Sequence, residues 1–97
     1  MFAIQIPRHI VNILPRLSGS EIKVLVFIYS ETWGRGLEVA PLTINDIRIG
    51  TGLSRNAVRD SARNCEVMGL IEISKDESDP SNIITRYRPV QLWGEKS

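Results

Sequence analysis

The chain has 97 residues, 42% of them hydrophobic and 24% charged, with a net charge of +1, one cysteine and one histidine. That length supports one domain, read over residues 1–97, and the composition is that of an ordinary globular protein rather than a disordered or fibrous one. The lone Cys65 excludes an intramolecular disulfide, and Cys65 with His9 leaves too few soft ligands for a Cys/His zinc site.

Met1 to Pro7 is apolar but breaks at a proline and has no basic start before a long apolar core, so no signal peptide is expected there. No apolar run is long enough to span a bilayer. A cytoplasmic location without membrane partners is the expectation.

Pro7 to Leu14 reads as a short helix, with Pro7 in its first turn, Pro15 closing it, and Ile10, Ile13 and Leu14 on one face. Ser18-Gly19-Ser20-Glu21 matches a capping box, in which the serine oxygen and the glutamate each satisfy an otherwise orphaned N–H. The helix it starts is expected to reach about Thr32. Ile22, Leu25, Val26 and Tyr29 form one stripe, and Val24, Phe27 and Ile28 make the opposite side apolar too. A helix apolar all round is buried on more than one side, so this one is placed at the centre.

Trp33-Gly34-Arg35-Gly36 ends that helix, and Leu37 to Leu42 reads as a short strand. Thr43 caps the next, short helix, with Asp46 in its first turn and Ile44 and Ile47 inward. Thr51-Gly52-Leu53-Ser54 is a tight turn, and Ser54 caps a helix running to about Met68. Gly69 suits its left-handed end. Leu70 to Lys75 and Ile83 to Val90 read as a hairpin whose connection, Asp76 to Asn82, is rich in Asp, Ser and Pro. Pro89 places the second strand at an edge or confines the proline to a strand end.

The order yields a mostly α fold with a small β-hairpin: a winged helix-turn-helix, in which a Gly-containing turn joins two short helices and the hairpin supplies the wing. On the helix after the turn, Val58, Ala62 and Cys65 share a face, with Ala57, Ser61 and Met68 beside them. Opposite lie Asn56, Arg59 and Arg63, with Arg55 on one flank and Asp60 on the other edge. Arginine can bond guanine O6 and N7 in a forked pair, asparagine can do the same to adenine N6 and N7, and a helix N-terminus favours phosphate. On an isolated helix such a face is a solvated surface. Set inside a helix-turn-helix, it is expected to hold double-stranded DNA.

Charge is unevenly placed. Ser54 to Arg63 carries three arginines against one aspartate, whereas Glu72 to Asp79 carries four carboxylates against Lys75. The hairpin tip should therefore repel phosphate, leaving Arg86 and Arg88, alternating on one face of the second strand, as the wing's cations. The expected DNA-facing set is Thr43, Arg48, Ser54, Arg55, Asn56, Arg59, Arg63, Arg86 and Arg88. No Gly-rich phosphate loop, nucleophile elbow or metal motif is present, so neither an enzyme nor a cofactor is expected. Cys65 reads as a small buried hydrophobe and His9 as a surface or packing residue.

Leu17-Ser18 through Lys23-Val24-Leu25, Glu31-Thr32-Trp33-Gly34, Thr51-Gly52-Leu53-Ser54-Arg55-Asn56-Ala57-Val58 and Met68-Gly69-Leu70-Ile71 together form a pattern. It resembles the N-terminal winged-helix domain of the phage replication protein O family and related phage and plasmid initiators, over roughly Pro7 to Ile73. The part from Thr51 to Ile71 is shared with many winged-helix regulators, including the GntR and MarR families. The resemblance implies origin recognition, with Ser54, Arg55, Asn56 and Arg59 toward the groove and a replication or regulatory protein as a further partner. Arg48 and Gly50 depart from the pattern, which favours alanine and apolar residues there, so that helix is expected to be shortened or to use Arg48 on phosphate. A small transcriptional regulator and a winged helix used only for protein interaction are the rival readings. The oligomeric state stays open.

Overall fold

A computed structural model describes residues 8–90. Met1 to Pro7, including the proline expected in the first helical turn, and the side chains of His9 and Ile10 lie outside the described residues, as do 91–97. Helix α1 spans Arg8–Ile13 and tightens into a 3-10 turn at Leu14–Arg16. Pro15 therefore does not close the helix at once. It sits at the start of the tighter turn, where its missing N–H would have no partner anyway.

The capping box forms as expected and starts α2, Gly19–Glu31. Ser18 Oγ accepts the Glu21 N–H at 3.1 Å, and Glu21 Oε1 accepts the Ser18 N–H at 3.0 Å. The helix ends where the Thr32 hydroxyl donates to the Ile28 carbonyl at 2.7 Å. A second 3-10 turn, Trp33–Arg35, follows, and Trp33 stacks on Tyr29 with ring centroids 5.0 Å apart.

The strand expected over Leu37 to Leu42 shrinks to β1, Ala40–Pro41. The Leu37 N–H turns back to the Thr32 carbonyl at 2.8 Å, and Leu37 and Val39 stay exposed, so the first half of that stretch joins no ladder. Helix α3, Ile44–Thr51, opens on a second capping box: the Thr43 hydroxyl accepts the Asp46 N–H, and Asp46 Oδ2 accepts the Thr43 N–H, both at 2.9 Å. Gly52, at φ +78°, takes the left-handed conformation that a side chain would penalise, and its N–H closes on the Arg48 carbonyl at 2.8 Å. After this turn Ser54 caps α4, Arg55–Val67.

Strands β2, Ile71–Asp76, and β3, Ile84–Pro89, complete an antiparallel sheet in the order β1-β3-β2. Thus β3 is the central strand, not an edge, and Pro89 is tolerated because it is the last residue of that strand. The Val90 N–H donates to the Leu70 carbonyl at 3.0 Å, so by alternation the neighbouring Ile71–Pro89 pair exchanges no bonds. Toward β1 the ladder has already stopped at the Ala40–Tyr87 pair, so the missing N–H breaks nothing on that side either.

The core gathers around α2. Val24, Leu25, Ile28 and Tyr29 are at most 1% exposed, and each such burial contributes roughly 2 kcal/mol. They meet Ile47 of α3, Val58, Ala62 and Cys65 of α4, and Ile71 and Tyr87 of the sheet. Helix α2 is thus covered from several sides, with one correction: Val26, expected on the buried stripe, is exposed, while Phe27 is drawn partly inward. Phe27 lies across Gly50, which has no side chain to hold the ring off; that close approach explains a glycine near the end of α3.

Two contacts lock α4 onto the start of α2. Asn64 Nδ2 donates to Glu21 Oε2 at 3.0 Å, so one glutamate both caps α2 and holds the neighbouring helix. The Cys65 thiol donates to the Glu21 carbonyl at 3.9 Å. Burial and then the nearby Glu21 carboxylate push this thiol up to about 12, so it stays protonated and unreactive at neutral pH.

Candidate nucleic-acid interface

Helix α4 buries Val58, Ser61, Ala62 and Cys65, half-buries Ala57 and turns the rest toward solvent. At about 100° per residue, the direction straight away from this buried set is shared, within about 30°, by Asn56, Asp60, Arg63 and Val67. Arg55 and Arg59 flank that stripe on one side. Asp60, expected at an edge, is as central as Arg63. The reason lies on the flank between Asp60 and the core, where Ser61 is buried as expected but Ala57 is only half-buried and Met68 is not drawn in. Met68, expected beside the core, is exposed, and Val67 is 78% exposed at the far end of the stripe.

Arg55, Asn56, Arg59, Asp60 and Arg63 are all exposed, and among the described residues none of their side chains makes a hydrogen bond or ion pair. Three guanidinium groups, an amide and a carboxylate therefore stand uncommitted on one helix. Ser54 directs its hydroxyl to the Ala57 N–H at 3.2 Å, and Thr43 is likewise engaged as a cap. Both sit where a ligand would meet a helix start.

The other expected cations are occupied. Arg48 is half-buried: one terminal nitrogen donates to Asn45 Oδ1 at 2.9 Å, and its Nε is buried without a hydrogen-bond partner. Arg86 pairs with Asp76 at 3.2 Å. Arg88 is held by Glu72, directly opposite on β2, through both Nε and a terminal nitrogen. These exposed pairs add little to stability, yet they place a carboxylate on each of the two hairpin arginines.

The hairpin tip is ordered by its own acids. Asp76 Oδ1 accepts the Ser78 N–H at 3.1 Å, and Asp79 Oδ1 accepts the N–H and the hydroxyl of Ser81 at 3.1 and 2.7 Å. The bonds from Ser78, then Arg86, hold the Asp76 carboxyl below its usual range, and the Ser81 hydroxyl and N–H do so for Asp79. Two of the four acidic residues between Glu72 and Asp79 are thus turned inward on the loop.

A cleft of about 540 Å³ opens between the start of α3, the start of α4 and β3. It brings together Thr43 and Arg55 from the expected set, with Asn45, Asn82, Ile83 and Thr85 beside them. Asn45 was visible in the sequence as a polar first-turn residue. Asn82 and Thr85 carried no such signal, since only the antiparallel return of β3 beside β1 delivers them to this place.

Among the described residues no group of three or more His, Cys, Asp or Glu side chains is placed to hold a metal ion, and no helix is long and apolar enough to cross a membrane. Comparison with known protein families, curated proteins and solved structures gives no significant match. The reading therefore stands on the geometry of this chain alone.

Proposed function

We propose that the chain is a winged helix-turn-helix domain that binds double-stranded DNA sequence-specifically, in origin recognition during phage or plasmid replication. Helices α3 and α4 with the Gly52 turn form the reading unit, and β2 and β3 form the wing. The observation that carries this is the uncommitted set Arg55, Asn56, Arg59 and Arg63 on the exposed face of α4. Guanidinium groups with no internal partner are free for phosphate or guanine, and a free amide suits adenine. In this reading Arg55, beside Thr43 in the cleft, grips backbone. Asn56 and Arg63 face the groove floor, with Arg59 at its side. The reading carries no catalytic step and no cofactor. A transcriptional regulator would use the same face, and a helicase gene beside the reading frame would favour replication.

The test is a random-oligonucleotide selection with the purified protein, followed by binding isotherms over a salt series. With Arg86 and Arg88 engaged, the arginines of α4 neutralise between about one and three phosphates, so log K should fall with log[salt] at a slope between about −1 and −3. A slope near zero on the selected duplex refutes the reading.

One observation favours a second reading, a winged helix used for protein interaction. Both hairpin arginines are neutralised by carboxylates of the same hairpin, which leaves Lys75 as the only hairpin cation without a carboxylate among the described residues and weakens the wing's attraction for phosphate. That reading expects no enrichment of any duplex.

A further inference from the structure

We propose that Asp60 reads a base: its carboxylate accepts a hydrogen bond from the exocyclic amino group of a cytosine and rejects guanine and thymine at that position. This rests on the DNA-binding reading above and assigns a specificity role to a residue outside the expected contact set.

Two observations and the chemistry of the bases lead to it. Asp60 lies on the stripe pointing straight out of the domain, four residues after Asn56 and three before Arg63. At 1.5 Å per residue those three side chains span about 10 Å along the helix, the length of about three base-pair steps. A carboxylate in that line meets base edges, not backbone.

Among the described residues Asp60 also makes no ion pair, although Arg59 is its neighbour and Arg63 stands at i+3. Among the described residues three acids do close on arginines, Glu31 on Arg35, Glu72 on Arg88 and Asp76 on Arg86, whereas Glu38, Glu66 and Glu77 stay unpaired as Asp60 does. Left open among three arginines, the Asp60 carboxylate weakens the attraction to phosphate that the rest of the face supplies. That cost is offset only if the group gains a specific donor.

The chemistry of the edges then chooses the base. An ionised carboxylate is acceptor-only. In the major groove guanine presents two acceptors and thymine an acceptor with a methyl group, so both oppose it. Adenine offers an amino group beside the N7 acceptor. Cytosine offers its N4 amino group with no acceptor next to it.

The experiment is the same selection performed with the wild type, Asp60→Asn and Asp60→Ala, each checked by thermal melting. Asp60 is exposed, so all three should melt alike. The wild-type motif should contain a cytosine at one position, with a preference of roughly 5- to 100-fold over guanine or thymine. Asp60→Ala should erase that preference while the other positions keep theirs. Asp60→Asn should shift it toward adenine, whose edge an amide matches. If neither variant changes any position of the motif, with or without uniformly tighter binding, Asp60 is a plain surface carboxylate; the proposal falls and the DNA reading stands. A wild-type selection that enriches nothing overturns both.

Discussion

Gly50 is the penultimate residue of α3, and in solvent its replacement by alanine would favour the helix by up to about 1 kcal/mol. Here the added methyl would stand 2.1 Å from Phe27 Cε1, 2.5 Å from Cδ1 and 2.8 Å from Cζ. Carbon atoms settle at about 3.5–4.0 Å, so the ring or the helix must yield by more than about 1 Å. Phe27 packs against the core, and α3 is pinned at its start by the Thr43–Asp46 box and at its end by the Gly52 turn. Overpacking of this kind costs typically about 1–3 kcal/mol. The propensity gain offsets part of it, so Gly50→Ala should destabilise by about 1–2 kcal/mol. For a chain of this size that lowers Tm by very roughly 5–15 °C. Urea unfolding of the wild type, Gly50→Ala, Phe27→Leu and the double variant separates the terms. Phe27→Leu removes the ring, so in its background Gly50→Ala should be neutral or stabilising, with a coupling of about 1 kcal/mol or more. If Gly50→Ala raises the midpoint in the wild-type background and the two changes simply add, the ring does not rest on Gly50 and this account of α3 is wrong.

Asn56→Ala and Arg59→Ala should melt as the wild type does, because both side chains are exposed and without partners. Each should weaken specific binding by about 1–3 kcal/mol, whereas Arg55→Ala should weaken all duplexes alike; two variants that bind the selected site normally would refute the role of α4. Glu72→Gln with Asp76→Asn should free Arg88 and Arg86, tighten binding and steepen the salt slope by up to about two, with an unchanged slope showing that the wing lies clear of DNA. Cys65 should resist alkylation at pH 8 in the folded protein and react at once in urea. Because its folded thiol is raised from 9.0 to about 12, the unfolded chain loses this proton first as pH rises. The contribution to stability is therefore complete below about pH 9 and lost between about 9 and 12. Burial raises Tyr29 in the same direction, its hydroxyl being enclosed without a hydrogen-bond partner. A urea midpoint that does not fall over that range would refute both shifts.

Much of this protein was legible in its sequence because much of it is local. Ser18 with Glu21, Thr43 with Asp46, and Ser54 with the N–H of Ala57 are bonds across three residues, decided wherever those residue types stand at that spacing. The left-handed turn at Gly52, the helix end at Gly69 and the buried line Val58, Ala62 and Cys65 are equally short-range, and so the cationic face of α4 could be read before any packing was known. What only the tertiary structure decided involves residues far apart in the chain. That β3 lies between β1 and β2 follows from Ala40 meeting Tyr87, a pairing no periodicity encodes. The binding of Arg86 by Asp76 and of Arg88 by Glu72 needs the hairpin register, and it changes two expected phosphate contacts into internal pairs. Gly50 makes sense only under the ring of Phe27. Asp60 moved from the edge of the exposed face toward its centre because Ala57 and Met68, on the flank beside it, are not drawn fully into the core. A helix offers several neighbouring faces of similar hydrophobicity, and which one turns inward is settled by the shape of the helices and sheet it packs against.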